Sequence, residues 1–425
     1  MSARRFWRSG HGPECWEIAP SAGVNDTDGP HAHAVNYRGR QHHPDTRCTV
    51  SDADKSQSFA YGCAASPNWR DAARECLTQL GPVSEGTNLG FVYITDSIAS
   101  EVRDILDYLR VNTGVYHWIG TVGMGVCATG REYYDRPAMS IMLCNFEPGS
   151  FQVFSGLRSP QDLERIPMHF EGVPANFAVV HADPRTANLD RLVDDLAGAL
   201  ESGFLTGGLS SSRNEYVQIA DVVTKGGISG VMFSDQVVVS TRLTQGCSPI
   251  GPRHAITGVQ QNVLVTLDGR AALDVFREDI GESMWRDIEQ LGGTLFAGLS
   301  ARASDDDDYL VRNLVGIDPT NKLVAIGDTA REGSKIMFCR RDDTSATEDM
   351  QRMLESIKSG LYRQPRGAVY YSCIGRGANL FGERSEELTM IQESLGDVPL
   401  VGFFGNGEIS HNRVYAYTGV LTLFI

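Results

Sequence analysis

Two stretches beginning at positions 120 and 402 carry the same glycine spacing, G-x-x-G-x-G: Gly120-Thr121-Val122-Gly123-Met124-Gly125 and Gly402-Phe403-Phe404-Gly405-Asn406-Gly407. Each follows an apolar run and a helical stretch. Gly90 to Thr95 and then Ser100 to Thr113 precede the first; Gly367 to Ser372 and then Ser385 to Leu395 precede the second. Each is followed by a β-rich run, Ala138 to Phe146 or Thr418 to Ile425. A weaker third copy lies between them. Phe177 to Ala182 leads through the helical stretch Leu189 to Glu201 to Gly207-Gly208-Leu209-Ser210-Ser211-Ser212 and the strand-like Ile228 to Ser234. Repetition fixes the architecture within which single motifs must be read. The expected fold is α/β: stacked mixed β-sheets with helices, built from repeated β-α-β-(Gly loop)-β units.

Composition narrows the function classes. The chain has 425 residues, long enough for two or three domains. It lacks both an apolar run of the ~18–20 residues a membrane span needs and a signal-peptide core, because His11, Pro13, Glu14 and Glu17 interrupt the N-terminal apolar stretches. A cytoplasmic protein without membrane insertion is expected. The net charge is −15, and basic clusters are missing, so nucleic acid is an unsuitable partner. Nine scattered cysteines without paired CxxC spacing predict buried reduced thiols rather than a structural zinc site.

Residues 1–57 alternate Gly, Pro, His, Arg and Asp without periodicity and are expected to form a disordered extension. Order should begin at Ser58-Phe59-Ala60, followed by a helix opened at Pro67-Asn68. Beyond the second copy the pattern changes. Strands are expected at Val237 to Leu243, Gln261 to Arg270, Tyr309 to Ile317, Leu323 to Ile326 and Ser334 to Cys339, with a helix starting at Ala271. Asp305 to Asp308 reads as a solvated acidic loop.

Several longer motifs then occur in order. Trp118 to Gly125 is followed by Glu132-Tyr133-Tyr134-Asp135, Gly207 to Ser211, Ser234 to Val237, and Gln245-Gly246-Cys247-Ser248-Pro249-Ile250-Gly251-Pro252. In the second half come Leu310 to Asn313, Ser372-Cys373-Ile374-Gly375-Arg376-Gly377, Phe381-Gly382-Glu383, and Val398 to Ile409. From Phe59 to Phe424 the chain resembles the FIST family of sensory domains. The resemblance implies an N-terminal domain over residues 58–272 and a C-terminal domain over 273–425. It implies a module that binds amino acids or similar small molecules and signals through a separate protein, such as a histidine kinase or chemotaxis transducer. A subset of the family binds haem and responds to nitric oxide. No cofactor is expected here, and no axial ligand can be assigned among His117, His169, His181, His254 and His411.

The third copy holds the densest chemistry. Gly246, Gly377, Gly402 and Gly407, with Phe403 and Asn406 beside them, would let backbone N–H groups approach a ligand. Arg376 would hold a ligand carboxylate, and Glu408 or Glu383 an ammonium, with Ser372, Cys373 and Cys247 on the walls. On that reading Arg376→Ala weakens binding and spares the fold. A structural reading competes, with Arg376 tying loops together through Glu383 or Glu408, and Cys247 invites a nucleophile reading beside its place as a pocket wall. Cys373 as a nucleophile, with His411 as the nearest histidine, gives an enzymatic alternative. A protein-recruiting adaptor is another.

Overall fold

A computed structural model describes residues 59–170, 172–291, 293–300 and 309–425. The N-terminal extension and the Asp305–Asp308 run lie outside the described residues. Three six-stranded sheets form the body, and they share one strand order and one set of polarities. In each, a leading strand runs parallel to a trailing strand across a helical crossover. A return strand lies antiparallel on the leading strand's far side, and an edge strand lies beyond it.

The first set comprises edge Ala60–Ala65, leading Leu89–Thr95, trailing His117–Gly123 and return Ala138–Cys144. The second comprises Phe151–Leu157, Phe177–Ala182, Phe204–Leu209 and Ile228–Phe233. The third comprises Val239–Gln245, Gly367–Cys373, Leu400–Gly405 and Thr418–Phe424.

Each sheet is completed by a hairpin from elsewhere in the chain. The first set's hairpin, Gly125–Ala128 with Arg131–Tyr134, pairs with the third trailing strand. The third set's hairpin, Glu408–Ser410 with Arg413–Tyr415, pairs with the second. The second set's hairpin, Gln218–Ala220 with Val222–Thr224, pairs with the first. The exchange is cyclic.

Gly120, Gly207 and Gly402 lie within the trailing strands, where the sequence reading has loops. They face Val92, Val180 and Tyr370 on the leading strands. A Cβ on any of them would fall 1.7, 1.9 or 1.7 Å from the carbonyl oxygen of that facing residue. Steric exclusion, rather than turn geometry, requires glycine there.

The helices follow from apolar spacing and capping. Asn68 accepts a hydrogen bond from the Arg70 N–H and caps Trp69–Leu80, which buries Trp69, Ala72, Ala73, Cys76 and Leu80 against the first sheet. Gly114, at φ 71°, closes Val102–Thr113 in the left-handed conformation. Where the three sheets meet, Phe91, Ile119, Val179, Phe233, Val369, Phe403 and Phe424 form one apolar core.

Between Gln245 and Asp343 the chain leaves the body and closes a six-stranded barrel. Around it run Leu295–Ser300, Lys335–Arg340, His254–Gln260, Val263–Leu267, Leu323–Ile326 and Tyr309–Asp318, the last pairing back to the first. Helix Ala272–Arg286 packs on it through Leu273, Phe276 and Ile280. The barrel strands therefore lie on both sides of residue 272 in the sequence. Among the described residues, no helix is long and apolar enough to cross a membrane.

Candidate functional site

At the C-terminal ends of the parallel strand pairs the chain turns sharply, and each turn carries an arginine–carboxylate pair. In the first sheet Asp96 takes three hydrogen bonds from Arg213; in the second Asp183 is held by Arg185. Those arginine side chains are 50% and 60% exposed. In the third sheet Arg376 and Glu387 are both 0% exposed. The third pair is dry.

Arg376 follows the leading strand Gly367–Cys373, and Glu387 sits in the first turn of helix Glu386–Leu395. Arg376 Nε donates to Glu387 Oε1 at 2.8 Å, and Nη2 lies 2.7 Å from the same oxygen. The Tyr370 hydroxyl donates to Oε1 at 2.7 Å, the Ser372 hydroxyl reaches both oxygens at 3.2 Å, and the Gly377 N–H donates to Oε2 at 2.8 Å. Burial works to lower the Arg376 pKa, but the Glu387 charge outweighs it and raises the pKa. Arg376 is a permanent cation. Its guanidinium also faces the Phe381 ring at 5.0 Å.

Several buried atoms here lack partners among the described residues, Tyr134 Oη and Arg341 Nε among them. Arg376 Nη1 is buried without an acceptor, and so is Glu408 Oε1 without a donor. The other Glu408 oxygen accepts from Thr418 Oγ1 at 2.7 Å and from Thr418 N at 3.2 Å. Burial pushes the Glu408 carboxyl up to about 8, against the hydrogen bonds from Thr418 and the positive charge of Arg376. It is a protonated acid at neutral pH. Buried polar atoms are normally paired, so unpaired ones beside the same cation mark a place fitted to a polar guest. Neither of two small clefts, one between Ala60 and Pro82 and one between Gly130 and Leu395, touches Arg376.

The predicted residues divide clearly. Ser372, Arg376 and Gly377 surround Glu387, and Glu408 lies within reach of the Arg376 charge. Gly246 approaches Arg376, since a Cβ on it would sit 3.4 Å from Nη1. The Cys247 thiol is pushed up by burial, with the Cys339 and Cys373 thiols nearby and Arg341 and Arg376 acting against the rise. It stays a thiol. Cys373 is buried at the end of its strand. Gly407 packs against Leu209 and Tyr415, and Asn406 N–H donates to the Leu209 carbonyl.

Glu383 is exposed and takes no part in holding Arg376, so the expected partners, Glu383 or Glu408, give way to Glu387. Gly402 is mid-strand. Phe403 stacks on Tyr93 in the central core, with ring centroids 5.4 Å apart. Sequence reasoning missed Glu387, Tyr370, Thr418 and Arg341. Their only signal is polarity within an apolar or helical run.

The Cys373–His411 pairing does not form around one centre: the His411 ring packs edge-on against Phe204 at 4.7 Å, and Leu205 N–H donates to its carbonyl. A buried axial histidine for haem does not fit either. His181 is enclosed by the Tyr93, Tyr371 and Phe403 rings, and both His254 nitrogens engage carboxylates. His117, His169 and His411 are exposed. Among the described residues no His/Cys/Asp/Glu group has the arrangement to hold a metal.

The motifs read from the sequence meet around this centre. Tyr134 lies against Gly377, and the Tyr417 hydroxyl donates to Asn313 at 2.7 Å. Ser211 Oγ accepts from Met124 N–H and donates to the Phe404 carbonyl, joining all three sets. Residues 88–270 match the FIST N domain and residues 272–411 the FIST C domain. The chain is 26% identical over 379 residues to the uncharacterized protein Rv0628c of Mycobacterium tuberculosis, covering 86% of this chain and 98% of the relative. It is also 26% identical over 382 residues to the uncharacterized protein Mb0898c of Mycobacterium bovis, with the same coverages. The chain belongs to the FIST family, whose domains are sensory modules of signal transduction.

Proposed function

We propose that this protein senses a small carboxylate-bearing metabolite, zwitterionic or anionic, at the Arg376–Glu408 centre. It acts in the cytoplasm, without catalysing a reaction, through a separate signalling protein such as a histidine kinase or chemotaxis transducer. One observation carries the reading: a buried guanidinium N–H and a buried carboxyl oxygen, both without partners, occur where the equivalent turns of the other two sheets have closed, water-facing ion pairs. A ligand carboxylate meets Arg376 Nη1, and a ligand ammonium or hydroxyl meets Glu408 Oε1. The centre also lies where the third sheet, the hairpin Glu408–Tyr415 and the barrel join, so occupancy bears on all three.

The test is a melting screen of the full chain against amino acids and small carboxylates. A ligand that binds only the folded protein raises the midpoint by mass action. Stabilisation lost in Glu408→Leu, which removes both carboxyl oxygens, supports the reading. An unchanged midpoint across the whole panel overturns it.

A further inference from the structure

A second arginine approaches the same place from the barrel side. Arg341 follows the barrel strand Lys335–Arg340 and donates through Nη2 to the carbonyls of Gly375 and, at 3.4 Å, Asn379. These residues flank Arg376 in the turn. Arg341 Nε is buried without an acceptor among the described residues.

Glycines admit close packing on both sides of Tyr417. A Cβ on Gly246 would lie 2.5 Å from the Tyr417 carbonyl oxygen and 3.4 Å from Arg376 Nη1; one on Gly375 would lie 3.5 Å from the Tyr417 ring and 3.7 Å from Arg341 Cζ. The charges of both arginines reach the Cys247 sulfur. Two guanidinium groups, each with an unpaired buried N–H, thus flank one aromatic residue.

Charge balance narrows the guest. Arg376 and Arg341 bring two positive charges, Glu387 one negative charge, and the protonated Glu408 none. The surroundings therefore carry one net positive charge, and a dry centre is most stable when its charges cancel. Two separated guanidinium groups ask for two carboxylates, while the single net charge asks for an ammonium as well.

We infer that the ligand is an acidic α-amino acid, with one carboxylate on Arg376, the second on Arg341 and its ammonium at Glu408. This rests on the proposed carboxylate-sensing site and makes Arg341 the specificity-determining residue. A planar guanidinium paired with a carboxylate gives a charge-assisted contact, whereas a side-chain amide offers it no anionic oxygen pair.

The experiment measures affinities of the full chain for L-aspartate, L-glutamate, L-asparagine, L-glutamine, succinate and inorganic phosphate. One acid should bind at least about tenfold more tightly than its amide, the effect expected for one charged hydrogen bond. In Arg341→Gln that ratio should fall to about one while the amide's affinity is retained. Loss of packing alone would weaken acid and amide together, so the ratio separates recognition from scaffolding. Equal binding of acid and amide by the unaltered protein overturns the inference, as does a ratio that survives Arg341→Gln. Phosphate or succinate binding as tightly as the acids also overturns it, because neither needs the ammonium subsite. Those results leave the broader carboxylate-sensing proposal standing; failure of any amino acid or carboxylate to bind removes both.

Discussion

The hydroxyl groups of Tyr93 and Tyr371 meet at 2.8 Å in the middle of the apolar core. His181 completes the group, with Nε2 3.2 Å from the Tyr93 hydroxyl. Each of the three residues follows by one position the leading-strand residue that faces a mid-strand glycine. They are therefore equivalent positions of the three sheets, brought together where the sheets converge. Burial pushes the His181 pKa down to about 3, so the imidazole is neutral across the physiological range.

Removing the Tyr93 hydroxyl strands both of its partners, Tyr371 and His181. Tyr93→Phe should destabilise the protein by about 1–3 kcal/mol, the cost of leaving a buried polar group unsatisfied. Tyr93→Phe with Tyr371→Phe should cost less than the sum of the single changes, because they share the bond. Urea unfolding of the three variants checks this. Strict additivity would mean that the hydroxyl contact contributes nothing.

The dry Arg376–Glu387 pair predicts a different outcome from the one expected of a surface arginine. Arg376→Ala leaves Glu387 buried with its charge uncompensated, and should cost about 3–5 kcal/mol. Replacing both partners with apolar residues, Arg376→Met with Glu387→Leu, should recover much of that loss. The ligand-holding reading of the sequence spares the fold in this variant, whereas the loop-tying reading does not. Calorimetric melting of the single and double variants decides the matter.

Glu408 makes stability depend on pH in a defined direction. Its folded pKa of about 8 lies above the ordinary value of an unfolded glutamate, so the native state binds the extra proton between the two. Stability should fall as pH rises from about 4.5 to about 8 and level off above. Glu408→Gln, which mimics the protonated acid, should flatten that slope. The variant should exceed the parent at pH 8 by more than at pH 5. Glu132, whose carboxyl is also pushed up to about 8 by burial and by the Glu387 charge, should add a parallel slope removed by Glu132→Gln.

In the barrel, His254 Nδ1 lies 2.7 Å from Asp268 and Nε2 lies 2.8 Å from Asp279. Burial works against its charge, but the hydrogen bonds and negative charges of the two carboxylates raise the His254 pKa. Asp268 is correspondingly lowered by that hydrogen bond, whereas Asp279 is raised because burial outweighs its partner. The linkage on histidine is fully present below its unfolded pKa and is lost as pH rises through the raised folded value. Hydrogen exchange in Ala272–Arg286, the helix that carries Asp279, should quicken over that rise. In His254→Gln the pH dependence should vanish. A helix whose protection is unchanged through the titration would show that the clamp does not fasten it.

Much of the scaffold was legible because its constraints are local. Gly120, Gly207 and Gly402 announced the three strand pairs, and Leu323–Ile326 stood out by its β-branched and apolar run. Glu387 did not stand out, because a glutamate in the first turn of a helix ordinarily faces water and favours the helix dipole. Its burial depends on Tyr370 and Ser372, which reach it from an apolar strand. The hairpin exchange was equally hidden. Val126 pairs with Phe403, and no local periodicity encodes a partner so distant in sequence. The barrel read as loose strands because its closure depends on Leu295–Ser300 meeting Lys335–Arg340.

The cyclic loan of hairpins also dictates an order of completion during synthesis. The first sheet can be finished once Thr224 has emerged, since its missing strands come from the second set. The first set's own hairpin, made long before, must wait for Leu400–Gly405. The second sheet lacks its last two strands until Tyr415 is made. A nascent chain halted before that point carries open edges on the second trailing strand and the third leading strand, templates for pairing with other chains. The strands between Leu400 and Phe424 thus act as a bolt: until they arrive, the earlier part of the body is assembled but not locked.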